Sequence, residues 1–193
     1  MIDPVANIAA ALKAEFRSLD YAKADFPMLT AWGVPDFSHT IHSLGCNYLC
    51  ALGRHLGFWA ISDYPVRVGC AGNGHSVRPD VVWWASGDTA PLLLGEFERF
   101  DPRAPSKLVT KARNLLKVHH TIGIRPRVLM LVGWALAGTD LGRDDAIRAI
   151  MHSGFTEPEG LDVPGLPADS VFIHATALFG VRGAEHRLLG IAA

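Results

Sequence analysis

Two apolar runs, Val81-Val82-Trp83-Trp84 behind Arg78-Pro79-Asp80 and Leu92-Leu93-Leu94-Gly95-Glu96-Phe97-Glu98-Arg99-Phe100, flank Ser86-Gly87-Asp88-Thr89-Ala90-Pro91. The Gly, Asp and Pro between them are turn formers, so the stretch reads as a β-hairpin with a longer loop. Side chains alternate faces along a strand, which puts Glu96 and Glu98 together and Phe97 opposite. Symmetric pairing through 85:91 and 83:93 runs on to 80:96, so Asp80 faces Glu96 with Glu98 diagonal to it. Three carboxylates on one face of an apolar hairpin repel one another and are costly to desolvate. A hard cation among them relieves that cost, and Mg²⁺, which prefers oxygen ligands, suits them. The competing reading is a solvated strand end, since Asp followed by Glu-x-Glu also arises by chance. The order of the surrounding elements has to decide between the two.

The 193 residues suit one domain with a full core. Hydrophobic content of 49% and charged content of 19% are those of a globular chain. No apolar run reaches the roughly 18 residues of a membrane span, and the N-terminus lacks a secretory pattern. Three cysteines do not make a disulfide framework. The expectation is a cytoplasmic protein with reduced thiols. A formal net charge of −1 excludes a globally basic nucleic-acid binder and leaves room for a local basic patch.

Val5, Ile8, Leu12 and Phe16 give a helix over 4–17, and 18–37 reads as irregular, with one helical turn at Met28 to Trp32. Ser38 can cap a second helix reaching Leu56, with a stripe of Ile41, Leu44, Tyr48, Leu49, Leu52 and Leu56. A strand at 57–63 follows, then an extended piece around Val66 and Val68, a turn at 71–74, and the hairpin strands at 79–85 and 92–98. After Asp101-Pro102 a helix runs over 106–120, and Lys107, Lys111, Arg113 and Lys117 lie along it. The continuous apolar run 127–135 marks a strand buried on both faces. A helix at 142–153, a Pro/Gly-rich loop to 168 and strands at 171–179 and 186–191 close the chain. The fold class is α/β, a central mixed β-sheet flanked by helices.

This order of elements resembles the core of the PD-(D/E)XK nuclease superfamily, the restriction-endonuclease-like fold, over residues 38–135. The matching residues are Pro79-Asp80 and Glu96-Phe97-Glu98. The resemblance implies a Mg²⁺-dependent endonuclease (Mn²⁺ also serving) that hydrolyses DNA, with Asp80 and Glu96 as metal ligands. The family's lysine falls where this chain has Glu98, a departure shared by some restriction enzymes, in which the second Glu is a ligand or general base. In other members the lysine sits on the following helix, here Lys107 or Lys111, of which the deeper Lys111 is preferred. The glutamate many families carry on the preceding helix is missing, because 38–56 contains no acid. His42 and Asn47 are the substitutes there. Arg99, Arg103, Lys107, Lys111, Arg113 and Lys117 form the expected DNA-binding stripe, whose bland counterpart is a solvated helix face. A dimer or a larger complex would then supply targeting. The alternative is a degenerate nuclease fold that binds nucleic acid or assembles without cutting.

Other features read as structural. Cys46, Cys50, His55, Cys70 and His75 do not have zinc-ribbon spacing. Asp36, His39 and His42 suit a helix cap better than a ligand set, and His119-His120 suits a helix dipole. Trp83 and Trp84 cannot share one face of a strand.

Overall fold

A computed structural model describes residues 4–68, 75–121, 125–141 and 144–193. The turn expected at 71–74 and the thiol of Cys70 lie outside them. In chain order the elements are α1 (Pro4–Ser18), α2 (Asp20–Asp25), a π-helical turn (Met28–Trp32), α3 (His39–His55), β1 (Trp59–Ser62), β2 (Val66–Val68), β3 (His75–Val77), β4 (Val81–Trp84) and β5 (Pro91–Arg99). Then come α4 (Ser106–Thr121), β6 (Val128–Leu136), α5 (Asp145–Ser153), β7 (Phe155–Thr156), β8 (Asp162–Val163), β9 (Val171–Arg182) and β10 (Glu185–Ala192). The protein is α/β, with a mixed six-stranded sheet in the order β1-β4-β5-β6-β9-β10. Strand β6 is parallel to both β5 and β9, and the other ladders are antiparallel.

Strand alternation divides the core. Val81, Trp83, Leu93, Phe97, Met130 and Trp134 pack against α1 and α3. Val82, Leu94, Leu129 and Leu131 point the other way, toward α4, α5 and the β2–β3 hairpin. Eight residues in a row, Val128 to Ala135, are buried in β6, as its unbroken apolar run requires. The two tryptophans part as alternation demands. Trp83 lies under α3, while Trp84 meets Tyr64 edge-on at 5.2 Å on the opposite face.

Helix α3 comes unusually close to the sheet because two of its residues lack a side chain. A Cβ at Gly45 would run into the Phe97 ring, and one at Gly53 would stand 2.6 Å from Trp83 Cε2. The approach brings the start of α3 onto the hairpin. Asp36, not Ser38, caps that start, its Oδ2 accepting the Thr40 N–H at 2.8 Å.

Three expectations need correction. Residues 18–37 are largely helical. Their hold is tertiary: Glu15 of α1 accepts the N–H groups of Tyr21 and Ala22 at 3.0 Å each and the Tyr48 hydroxyl at 2.8 Å. The loop after α5 contains the small β7–β8 hairpin. The β4–β5 register agrees at 81:95, 82:94 and 83:93, then shifts so that Trp84 faces Pro91. A bulge takes up the extra residue there, at the far end of the strand from the acids.

Candidate functional site

Asp80 immediately precedes β4, and Glu96 and Glu98 point from β5 toward α4. All three carboxylates are buried, at 5%, 1% and 7% exposure. The hairpin register, with Val81 opposite Gly95, brings Asp80 beside Glu96. Lys111 reaches down from the second turn of α4. Its Nζ is 2.6 Å from Glu96 Oε2, 3.7 Å from Glu98 Oε2 and 3.9 Å from Asp80 Oδ2. Lys107, one turn earlier, places Nζ 2.7 Å from Glu98 Oε1. The i, i+4 spacing puts both lysines on one face of the helix.

Further contacts fix the carboxylates. The Phe97 N–H donates to Asp80 Oδ2 at 2.9 Å, and the Arg99 N–H donates to Glu98 Oε1 at 2.8 Å. From the α3 side, His42 Nε2 lies 3.4 Å from Asp80 Oδ2. Cys46 follows one turn later on α3, its Sγ 3.9 and 4.0 Å from the two ring nitrogens of His42. His42, not the exposed Asn47, fills the place left by the absent helix acid.

The electrostatics follow from this crowding. Burial alone would raise Asp80, but the His42 contact, the Lys111 charge and the Phe97 N–H outweigh it and hold the carboxyl below its ordinary value. Burial and the adjacent Asp80 charge push Glu96 well above the carboxylate range, and Lys111 only partly offsets them. Lys111 loses from burial and gains more from Glu96 and Asp80, so its ammonium is pushed up to about 12. The Asp80 contact raises His42. The crowding thus pushes the two acids apart, favouring the charged form of Asp80 and disfavouring that of Glu96, the division expected when two acids share a buried site.

The basic residues do not form one stripe. Lys107 and Lys111 face the acids. Arg99 turns to the other face of the sheet, its guanidinium 5.1 Å from the Phe37 ring and 5.9 Å from Trp134. Arg103 is exposed in the turn before α4. Arg113 and Lys117 point toward the β7–β8 hairpin, Arg113 lying 5.2 Å over Phe155 and Lys117 Nζ 2.9 Å from Glu157. The helix-dipole reading of His119 also gives way. Its Nδ1 pairs with the Pro126 carbonyl at 2.8 Å, and burial lowers its pKa to about 4, so it is neutral at the helix end.

Oxygen donors converging on a cation suit a hard divalent ion, and Lys111 now supplies the positive charge. Asp80 and Glu96, with Glu98 close by, are oxygen donors that could hold such an ion if Lys111 withdrew. Sequence reasoning placed these acids and Lys111 but missed Cys46 as their neighbour. The signal was His42-x₃-Cys46, one helical turn apart on the face that Gly45 presses to the sheet. No family model, curated protein or solved structure matches this chain.

Proposed function

We propose that the protein is a metal-dependent nuclease acting on DNA, with Asp80 and Glu96 as ligands of Mg²⁺ and Glu98 and Lys111 completing the site. The observation that carries this reading is three buried carboxylates gathered around one lysine ammonium, between a hairpin and a helix, in the element order of restriction-endonuclease-like cores. A buried cluster of that kind is expensive to maintain for stability alone, because replacing buried ion pairs by apolar groups is often neutral or stabilising. Perturbed carboxylates and lysine in contact are a frequent mark of a functional centre.

Mg²⁺ held there would acidify a bound water and neutralise the phosphate in phosphodiester hydrolysis. Asp80, kept ionised, is the ligand ready at neutral pH. Lys111 keeps its proton, so it serves as a charge and hydrogen-bond donor to the phosphate and not as a base. Glu98 is the acceptor for the water's proton, and its partner Lys107 is half-exposed and free to swing to the nucleic-acid backbone. Exposed Arg103 extends this positive edge.

One observation favours the alternative, a nuclease-like fold that binds or assembles without cutting. The Lys111 ammonium already satisfies the acids, as it would in a site that no longer takes metal. Cleavage of supercoiled plasmid and single-stranded DNA with Mg²⁺ or Mn²⁺ separates the two. The nuclease reading predicts cutting that Asp80→Ala and Glu96→Ala each abolish. DNA retention without cutting at any metal concentration supports the binding module, and cutting that survives both substitutions places the chemistry elsewhere.

A further inference from the structure

Beside the all-oxygen cluster lies a second set of donors with a different chemistry. His42 Nε2, Cys46 Sγ and an Asp80 carboxylate oxygen all lie within 4.8 Å of one another. We propose that His42, Cys46 and Asp80 form a binding site for a thiophilic divalent cation of the zinc class, sharing Asp80 with the hard-ion position. The site goes beyond the nuclease reading and does not depend on it.

The geometry is close to what such an ion needs. With zinc–nitrogen and zinc–oxygen bonds of about 2.1 Å and a zinc–sulfur bond of about 2.3 Å, tetrahedral ligands sit about 3.4 Å apart for N and O and about 3.6 Å for N and S. The observed separations are 3.4 Å from His42 Nε2 to Asp80 Oδ2 and 4.0 Å from the same nitrogen to Cys46 Sγ. The sulfur, almost equidistant from the two ring nitrogens, has to rotate toward the ion, and all three donor atoms already lie within 4.8 Å of one another.

The fold positions the donors. His42 and Cys46 project from adjacent turns of one helix, Gly45 between them holds that helix against Phe97, and the Phe97 N–H pins the carboxylate. Thiolate, imidazole and carboxylate together select zinc-like ions over Mg²⁺, which avoids sulfur. Three protein ligands leave a fourth position, and His42, 37% exposed at its side chain, lies on the solvent route to it. On binding, the six-coordinate aqua ion gives up five waters and keeps one in the fourth position, the Cys46 S–H proton and any proton on His42 Nε2 leave to solvent, and metal–sulfur, metal–nitrogen and metal–oxygen bonds form. No oxidant or reductant is required.

Both ions would draw on Asp80. A zinc-class ion therefore competes with Mg²⁺ for the site, which makes it an inhibitor of any Mg²⁺-dependent reaction there.

The test uses Co²⁺ alone as a spectroscopic probe on the full chain. Binding at this site gives a sulfur-to-cobalt charge-transfer band with intense visible bands of a four-coordinate ion. Zn²⁺ displaces the signal and Mg²⁺ does not reproduce it. Cys46→Ser abolishes the charge-transfer band. His42→Ala weakens Zn²⁺ binding by more than roughly 100-fold, because changing even the partners of metal ligands costs 10–100-fold. Cys50→Ser leaves both readings as in the wild type. Circular dichroism confirms folding of each variant, and the two ligand changes are independent should one fail to fold. Absence of the band in folded wild type, or a band that survives Cys46→Ser, overturns the site. Neither result bears on DNA cleavage, which is measured separately with Mg²⁺.

Discussion

The two ends of α4 bury titratable side chains in opposite ways. At its start, Lys111 is 22% exposed at the side chain and lies among three carboxylates that keep it charged. At its finish, His119 is fully buried, and among the described residues its Nδ1 meets the Pro126 carbonyl while Nε2 has no hydrogen-bond partner. Charge is concentrated at one end and excluded at the other, within a single helix. Burial disfavours a charge in both places, and the difference is made by compensating charges, which backbone carbonyls alone do not supply. A charged buried cluster needs a reason beyond packing, and a neutral buried imidazole does not. The start of α4 is thus where function is sought.

Removing the compensation has the largest expected effect. Lys111→Ala leaves Glu96 buried without its cation, while Glu98 keeps Lys107 and Asp80 keeps His42, and destabilises the fold by about 3–5 kcal/mol in urea unfolding at neutral pH. Added Mg²⁺ recovers more stability in this variant than in the wild type, if the acids hold the ion. The same substitution lowers any DNA cleavage.

The far end responds to pH. The native His119 pKa of about 4 lies below the ordinary 6.5, so the neutral form is bound up with folding. Its contribution is present above pH 6.5 and is lost as pH falls from there toward 4, a change on the order of 3 kcal/mol at most. His119→Gln flattens that part of the stability–pH curve, read by denaturant titration at several pH values. A slope unchanged by the substitution would show that the imidazole is not buried neutral.

Next comes the closeness of α3. Gly45→Ala drives a methyl into the Phe97 ring, which is stacked on Trp134 with centroids 6.0 Å apart and has little room to retreat. A loss of about 1–3 kcal/mol is expected, together with weakened metal binding as His42 withdraws from Asp80.

The smallest effect belongs to the basic residues that turn away. Arg113→Ala removes a cation–π contact worth less than about 1 kcal/mol; on the proposed nucleic-acid reading it leaves DNA affinity unchanged, whereas Lys107→Ala weakens DNA binding and flattens its salt dependence. Equal losses in the two variants would restore a continuous stripe.

What was legible in the sequence was whatever depended on strand alternation. The 80:96 relation, the separation of Glu96 from Phe97 and the double burial of 128–135 all follow from a period of two. The i, i+4 pairing of Lys107 with Lys111 follows equally from helix geometry. What was not legible depended on distant partners. The helical turns after Ser18 are fixed by Glu15 and Tyr48, and the bulge between Trp83 and Trp84 is a choice of the hairpin end. Arg99 leaves the basic group because alternation points it at Phe37 and Trp134, a consequence hidden until β5 proved to extend through that residue. His42 and Cys46 became neighbours of Asp80 only through the close approach that Gly45 permits. Among the described residues no helix is long and apolar enough to cross a membrane.

The central claim is that the Asp80–Glu96–Glu98 cluster exchanges its lysine ammonium for a divalent ion. Calorimetric titration of Mn²⁺ into the wild type, Asp80→Ala and Lys111→Ala, with Cys46→Ser throughout to silence the sulfur site, tests it most directly. The account predicts one Mn²⁺ per chain that Mg²⁺ competes away, no binding without Asp80, and tighter binding without Lys111. Absence of Mn²⁺ binding in a folded chain carrying all three acids, or binding indifferent to Asp80, would contradict it.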